Sequence, residues 1–241
     1  LAKEKKMLKS KIVATGSYLP QKIVTNYDLA KEVDTSDEWI IERTGIKQRH
    51  IADDKELTSD IATKAALNAL EDSELKVADL EMIILATTTP DLTFPATATT
   101  IQAKLGAKNA FAFDVQAVCS GFVYAMTVAD NFIKSGQVKN ALVIGADILS
   151  RIVDWKDRNT CVLFGDGAGA VLLQATTDQD LSGILSADLH SDGNLNSILK
   201  TSGGVGFNQR SGFIEMAGKE VFKHAVEKMS KSVFSALKKA G

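Results

Sequence analysis

"NAFAFDVQAVCSGFVYAMTVADNFIKSG", residues 109–136, decides the fold class. Its first part alternates: Phe111, Phe113 and Val115 fall on one side of an extended chain, which is the two-residue period of a strand. After Cys119 the period changes. Phe122, Met126, Ala129 and Ile133 share one helical face, closed by Ser135 and Gly136. A strand passing into a helix through a very short turn is the working unit of an α/β protein, and the rest of the chain agrees. "EMIILATTTPD" (81–91) and "KNALVIGADIL" (139–149) are apolar on both pleat faces and short, as buried strands are. "SDIATKAALNALED" (59–72) sets Ile61, Ala65 and Ala69 at helical spacing, and "TFPATATTIQAKLG" (93–106) predicts a helix opened near Pro95 and closed at Gly106. "KSKIVATGSYLP" (9–20) predicts a strand that ends in a turn over Gly16 to Pro20.

Composition narrows the function classes. The chain has 241 residues, 45% of them hydrophobic, enough apolar material for a sizeable core. With 28 basic and 30 acidic side chains the net charge is −2, which gives no global attraction to nucleic acid or to an anionic membrane. No apolar run approaches the roughly 18 to 20 residues that span a bilayer. Two cysteines, Cys119 and Cys161, make no metal-ligand spacing and no disulfide framework, so a reducing, cytoplasmic setting is expected. "LAKEKKMLKS" (1–10) lacks the apolar core of a signal peptide and is expected to be an N-terminal extension, with Met7 a natural start. A shift in composition at "LQATTDQDLSG" (173–183) marks a join between structural halves, and the following stretch to Gly212 is polar and Gly-rich, as loops are. From Met216 to Gly241 the pattern is one long helix.

Three stretches carry chemistry. Cys119 falls in the first turn of a buried helix, where unpaired N–H groups and partial positive charge favour a thiolate and can face an oxyanion. A free cysteine is equally often a small buried hydrophobe, and the residues alone leave both readings open. Cys161, in "TCVLFGDGAGAVLLQA" (160–175), lies in an apolar strand pattern and is expected in the core. The glycines after it do not form a dinucleotide loop, because "AVLLQ" reads as a strand where a helix is required. Strand, Gly-rich turn, strand is the expectation, with Phe164 shaping a wall near the site. In "DTSDEWIIERTGIKQRHIA" (34–52), Thr35 and Glu38 match a capping box for a helix that runs to about Arg43. Trp39 and Arg43 then share a face; an indole beside a guanidinium can hold a flat heteroaromatic ring, or simply stack over the core edge.

In that order, "GSYLP" (16–20), "DTSDEWIIERTGI" (34–46), "FDVQAVCSGF" (113–122), "DRNT" (157–160) with "FGDGAGA" (164–170), and "EMAGKEVFKHAV" (215–226) resemble β-ketoacyl-acyl-carrier-protein synthase III. The resemblance runs from about Lys11 to the end. It implies a thiolase-like fold of two similar α/β halves stacked in five layers. The first half would be complete over 11–178 and the second, from 179 to 241, incomplete. It makes Cys119 the nucleophile that takes an acetyl group from acetyl-CoA or another short acyl-CoA. Malonyl-acyl carrier protein then loses carbon dioxide, and its carbanion attacks the thioester to give acetoacetyl-acyl carrier protein, the initiating step of fatty acid synthesis.

By the same resemblance Trp39 and Arg158 stack on the CoA adenine, and Thr35 and Arg43 lie near its nucleotide part. Asn159 replaces a glycine common after the second arginine. Phe94 matches a residue that floors the acyl pocket of the partner in a homodimer, and Met216 and Phe222 match tunnel-lining positions. Lys219 and Lys223, four apart beside Phe222, offer a basic patch for an acidic carrier protein or merely a solvated helix face. No metal and no cofactor are implied, since the CoA thioester is a substrate. The family's catalytic His and Asn fall beyond Gly241, so the 241-residue chain by itself is expected not to complete the condensation at a useful rate. None of the three histidines replaces them: His50 is expected in a polar loop, His190 at the end of a strand and His224 within a helix. Two rival readings are another thiolase-fold acyl-CoA condensing enzyme and a non-catalytic remnant that only dimerises or binds CoA.

Overall fold

The computed structural model describes residues 8–177 and 182–241. The chain forms two compact units, each assembled from separated segments. The first comprises Leu1–Leu19, Asp54–Asp147 and Gly167–Ala187, the second Pro20–Asp53, Ile148–Asp166 and Asp188–Gly241. The expected join at 178/179 lies outside the described residues, as does most of the expected N-terminal extension; β1 already begins at Lys9.

A five-stranded sheet in the order β1–β7–β6–β4–β5 organises the first unit. Its strands are β1 (Lys9–Tyr18), β4 (Met82–Ala86), β5 (Phe111–Val115), β6 (Asn140–Ile148) and β7 (Asp166–Thr176). β4 runs parallel to both β5 and β6, while β1 and β7 pair antiparallel from Lys9↔Thr176 to Tyr18↔Ala168. All five residues of β4 are buried. Ile84 packs in one cluster with Ala125, Ala129 and Ile133 of α5 (Gly121–Lys134). Strand alternation sends Ile83 and Leu85 to the opposite face, the side that α4 (Thr97–Leu105) occupies beside α3 (Thr58–Glu71). A strand covered on both faces has no polar side to show, which is why "EMIILA" reads as an uninterrupted apolar run.

β1 does not turn at Gly16 as its sequence suggests. It continues to Tyr18, because here the glycine serves a close approach: a Cβ would collide with the Ala65 carbonyl oxygen and the Ala69 amide of α3. α4 begins at Thr97 after Ala96, which has no capping side chain, so Asp114 from the end of β5 accepts the N–H groups of Thr97 and Ala98, each at 2.7 Å.

The second unit gathers β2 (Lys22–Thr25), paired antiparallel with β3 (Gln48–Ile51), around α1 (Asn26–Leu29), α2 (Asp37–Thr44) and α6 (Arg158–Cys161). Leu29, Ile40, Ile152, Val153, Cys161, Val162 and Ile214 form its core. The stretch expected to be loop contains order: a 3₁₀ segment over Gly193–Ile198, β8 (Leu199–Thr201) paired with β9 (Ile214–Met216), and α7 (Val205–Asn208). These elements are very short and carry too few residues to show a period, and glycines fall within them (Gly193, Gly206) as well as between them. α8 (Gly218–Ala240) is the long final helix, with Val226, Met229, Val233, Phe234 and Leu237 exposed.

Candidate active site

Cys119 sits in a 3₁₀ turn, Val118–Ser120, between β5 and α5, and is exposed. The residue before it is unusual. Val118 has φ +47°, a left-handed conformation that β-branched side chains avoid, and half of its surface faces solvent (54%). The chain therefore accepts local strain to turn from a strand straight into a helix, and the thiol is held at the helix start instead of being folded into the core. Cys119 is thus exposed and is not a small core residue. The loop after β4 is fixed by Asp147 of β6, whose Oδ1 accepts from Thr88 N–H at 2.7 Å, Thr89 Oγ at 3.1 Å and Thr87 Oγ at 3.2 Å. Burial raises the Asp147 pKa above the usual carboxylate range, and those donors oppose the shift. Phe94, at the far end of the same loop, is 82% exposed, an apolar ring with nothing over it in the first unit.

In the second unit the fold brings Arg158 to two residues of α2 that lie more than a hundred positions earlier in the chain, Trp39 and Arg43. The Arg43 guanidinium carbon lies 4.6 Å from the centre of the Trp39 ring and that of Arg158 lies 5.2 Å from it, so one indole carries two cations. Arg158 also donates to the Asp34 carbonyl oxygen at 2.8 Å. The helix under Trp39 is capped differently from the expected box. Ser36, not Thr35, is the N-cap and accepts the Trp39 N–H at 3.1 Å; Thr35 Oγ1 is buried without a hydrogen-bond partner, and the helix runs through Thr44 to Gly45. Adjacent Thr and Ser are nearly equal capping residues, so their spacing could not choose between them.

Cys161 is fully buried, as expected, but in a different element. It closes the single turn of α6, which Asp157 caps by accepting the Asn159 N–H at 3.0 Å. The description that fits is helix, turn, strand, because β7 already begins at Asp166 and takes in most of the glycines. Phe164 lies in the intervening turn and packs against the core of the second unit. Met216 ends β9, while Lys219, Phe222 and Lys223 are exposed in the first turns of α8. His50 lies in β3, with Nδ1 2.6 Å from the Pro20 carbonyl oxygen; His190 belongs to no strand and its Nε2 lies 2.7 Å from Asp188 Oδ2; His224 is in α8. The antiparallel partner that makes a strand of "QRHI" is β2, a pairing that local polarity does not reveal.

The family model described as 3-Oxoacyl-[acyl-carrier-protein (ACP)] synthase III matches residues 113–193. Over 231 residues the chain is 60% identical to the β-ketoacyl-[acyl-carrier-protein] synthase III of Ehrlichia canis (strain Jake), covering 96% of this chain and 72% of that protein. This chain belongs to the β-ketoacyl-[acyl-carrier-protein] synthase III family. The Wolbachia pipientis wMel synthase III is likewise 60% identical over 233 residues, with the same coverage of both chains. The structure of 3-oxoacyl-[acyl-carrier-protein] synthase III from Aquifex aeolicus VF5 superposes with a TM-score of 0.90 at 50% identity, over 96% of this chain and 72% of that one. The fold is thus the thiolase-like α/β fold of the synthase III structures. Among the described residues no cluster of three His, Cys, Asp or Glu side chains is placed to hold a metal, and no helix is long and apolar enough to cross a membrane.

The sequence carried no signal for Val118, since a valine is the last residue expected at positive φ. Asp114 and Asp147 were also missed. Each is a single acid at the end of an apolar strand, and only the tertiary fold shows what its oxygens accept.

Proposed function

We propose that this protein is the initiating condensing enzyme of type II fatty acid synthesis, with Cys119 as its acyl acceptor. The Cys119 sulfur attacks the carbonyl of acetyl-CoA or another short acyl-CoA. The carbon–sulfur bond to CoA breaks, CoA leaves as its thiol, and the acyl group remains on Cys119. Malonyl-acyl carrier protein then loses carbon dioxide. The electron pair of the broken bond attacks the acetylated Cys119, giving acetoacetyl-acyl carrier protein and releasing the Cys119 thiolate, which takes up a proton from water. No cofactor takes part in this reading.

The exposed thiol on its strained turn, in a chain 60% identical to named synthases, is the observation that carries this reading. Trp39 and Arg158 supply a stacking surface for the CoA adenine, with Arg43 and Thr35 beside the nucleotide. Phe164, Met216 and Phe222 line the way for the pantetheine arm, and Phe94, bare in its own unit, floors the acyl pocket of a second copy in a homodimer. Lys219 and Lys223 meet the acidic carrier protein. A cytoplasmic location follows from these substrates.

Mixing the protein with acetyl-CoA and measuring its intact mass should show one acetyl group, absent from Cys119→Ala and present on Cys161→Ala. Acetylation undiminished in Cys119→Ala would refute the assignment. Reversing Lys219 and Lys223 to Glu should weaken binding of malonyl-acyl carrier protein while leaving acetylation by acetyl-CoA intact; equal losses in both would mean general damage and no carrier patch.

A further inference from the structure

Arg49 is a cation in the wrong place for a surface residue. It stands on β3, paired with Val24 of β2, and is 3% exposed. Among the described residues no carboxylate forms an ion pair with it. Its Nε is buried without a partner. A guanidinium buried on these terms costs free energy, so its remaining contacts should show what it does there. Nη1 donates to Asn26 Oδ1 at 2.6 Å and Nη2 donates to the Val162 carbonyl oxygen at 2.5 Å. Asn26 is itself fully buried, and its amide nitrogen donates to Asp37 Oδ1 and to the Ile46 carbonyl oxygen, both at 2.8 Å. Every atom of that amide is used, so its orientation is fixed.

These bonds end on two helices. Asp37 is the first residue of α2, which carries Trp39 and Arg43; Val162 is the C-cap of α6, which carries Arg158. Gly165 adds room at the crossing, since a Cβ there would stand 3.1 Å from Arg49 Cβ and from the His50 carbonyl oxygen. The forked guanidinium is the group suited to this task, because it reaches two acceptors at once in a rigid plane.

We propose that Arg49 is a positioning residue for nucleotide binding: through Asn26 and the Val162 carbonyl it ties the start of α2 to the end of α6 and so fixes the spacing of Trp39 and Arg158. The proposal rests on the reading of those two side chains as the adenine grip. The Arg158 guanidinium carbon stands 5.2 Å from the centre of the Trp39 ring, so a ring entering between them must part them. The two side chains can swing only if the helices beneath them hold still, because stacking on both faces of a ring tolerates little error in spacing. Arg49 does not touch the ligand and supplies only that fixed base.

The test is a double-mutant cycle read by calorimetry with CoA, with thermal melting to confirm the fold. Arg49→Lys keeps the charge but cannot fork to both acceptors, and should raise the CoA dissociation constant about tenfold. Trp39→Ala should do the same by removing the stack, by about tenfold. Combined, they should add less than about threefold to the effect of Trp39→Ala, because a positioning residue has nothing left to position. Multiplying effects would mean that Arg49 supports the fold generally and would overturn the proposal, as would an unchanged CoA affinity in Arg49→Lys. If Arg49→Lys does not melt cooperatively, Asp37→Ala cuts the same link at the partly exposed end and takes its place in the cycle, with an expected loss of about threefold and the same two overturning results. An unchanged affinity in Trp39→Ala would remove the adenine grip itself, and this inference with it; a loss there without one in Arg49→Lys would leave the grip standing and remove only the inference.

Discussion

The two cysteines of this protein are a matched pair that the fold treats in opposite ways. Cys119 lies at the start of a fourteen-residue helix, after a residue at positive φ, with its side chain exposed. Cys161 closes a four-residue helix in regular geometry: its C-cap, Val162, has φ −77° and ψ −14°, and its side chain has no exposed surface. Burial pushes the Cys161 thiol pKa up and Asp157 adds to the shift, while the nearby Arg49 guanidinium opposes it. The lesson is that residue type decides little. Exposure follows from the local backbone: the first unit holds a sulfur outward on a strained turn, and the second packs around one in regular geometry.

The largest effect that could break this comparison is differential alkylation. With iodoacetamide under native conditions, Cys119 should react at the rate of an exposed thiol. Cys161 should wait for unfolding or local opening, which in a folded core slows reaction by a factor on the order of a thousand or more. Peptide mapping after a timed quench gives both rates from one sample. Comparable labelling of the two would show that the core of the second unit opens readily, and the contrast would fail.

Much of this was legible in the sequence. The β5–turn–α5 passage was, because a change of period from two to 3.6 across a single turn survives whatever the rest of the chain does. α3 was legible from its helical spacing and β4 from an apolar run too short for a helix. What failed, failed for physical causes that can be named. Gly16 looks like a turn because glycine usually buys conformational freedom, but here it provides space against α3. α6 is one turn long, too short for any period, so its apolar residues merged with those of β7. His50 looks like part of a polar loop because the strand that pairs with it, β2, lies more than twenty positions earlier in the chain. At the site, residue types and motif order pointed to Cys119, Trp39, Arg43 and Arg158, and three of these do assemble around one indole. The groups that hold them, Ser36, Asn26 and Arg49, became visible only in three dimensions.

The smallest effect expected is the one that tests the strain directly. A non-glycine residue in the left-handed region costs roughly 1–2 kcal/mol, and β-branched valine belongs at the upper end, whereas asparagine tolerates it best. Val118 is 54% exposed, so replacing it gives up only part of the burial of its side chain. Val118→Asn should therefore stabilise the protein by about 1 kcal/mol, equivalent to a rise in melting temperature of about 2–4 °C for a chain of this size. The same substitution at Val162 has no strain to relieve and removes an apolar residue that is 2% exposed, so it should lower the melting temperature instead. Opposite signs at these two valines, each adjacent to a cysteine, would locate the stored strain at the turn that exposes Cys119. A loss of stability at both would mean that Val118 keeps its place through packing, and that the exposure of Cys119 has some cause other than a strained turn.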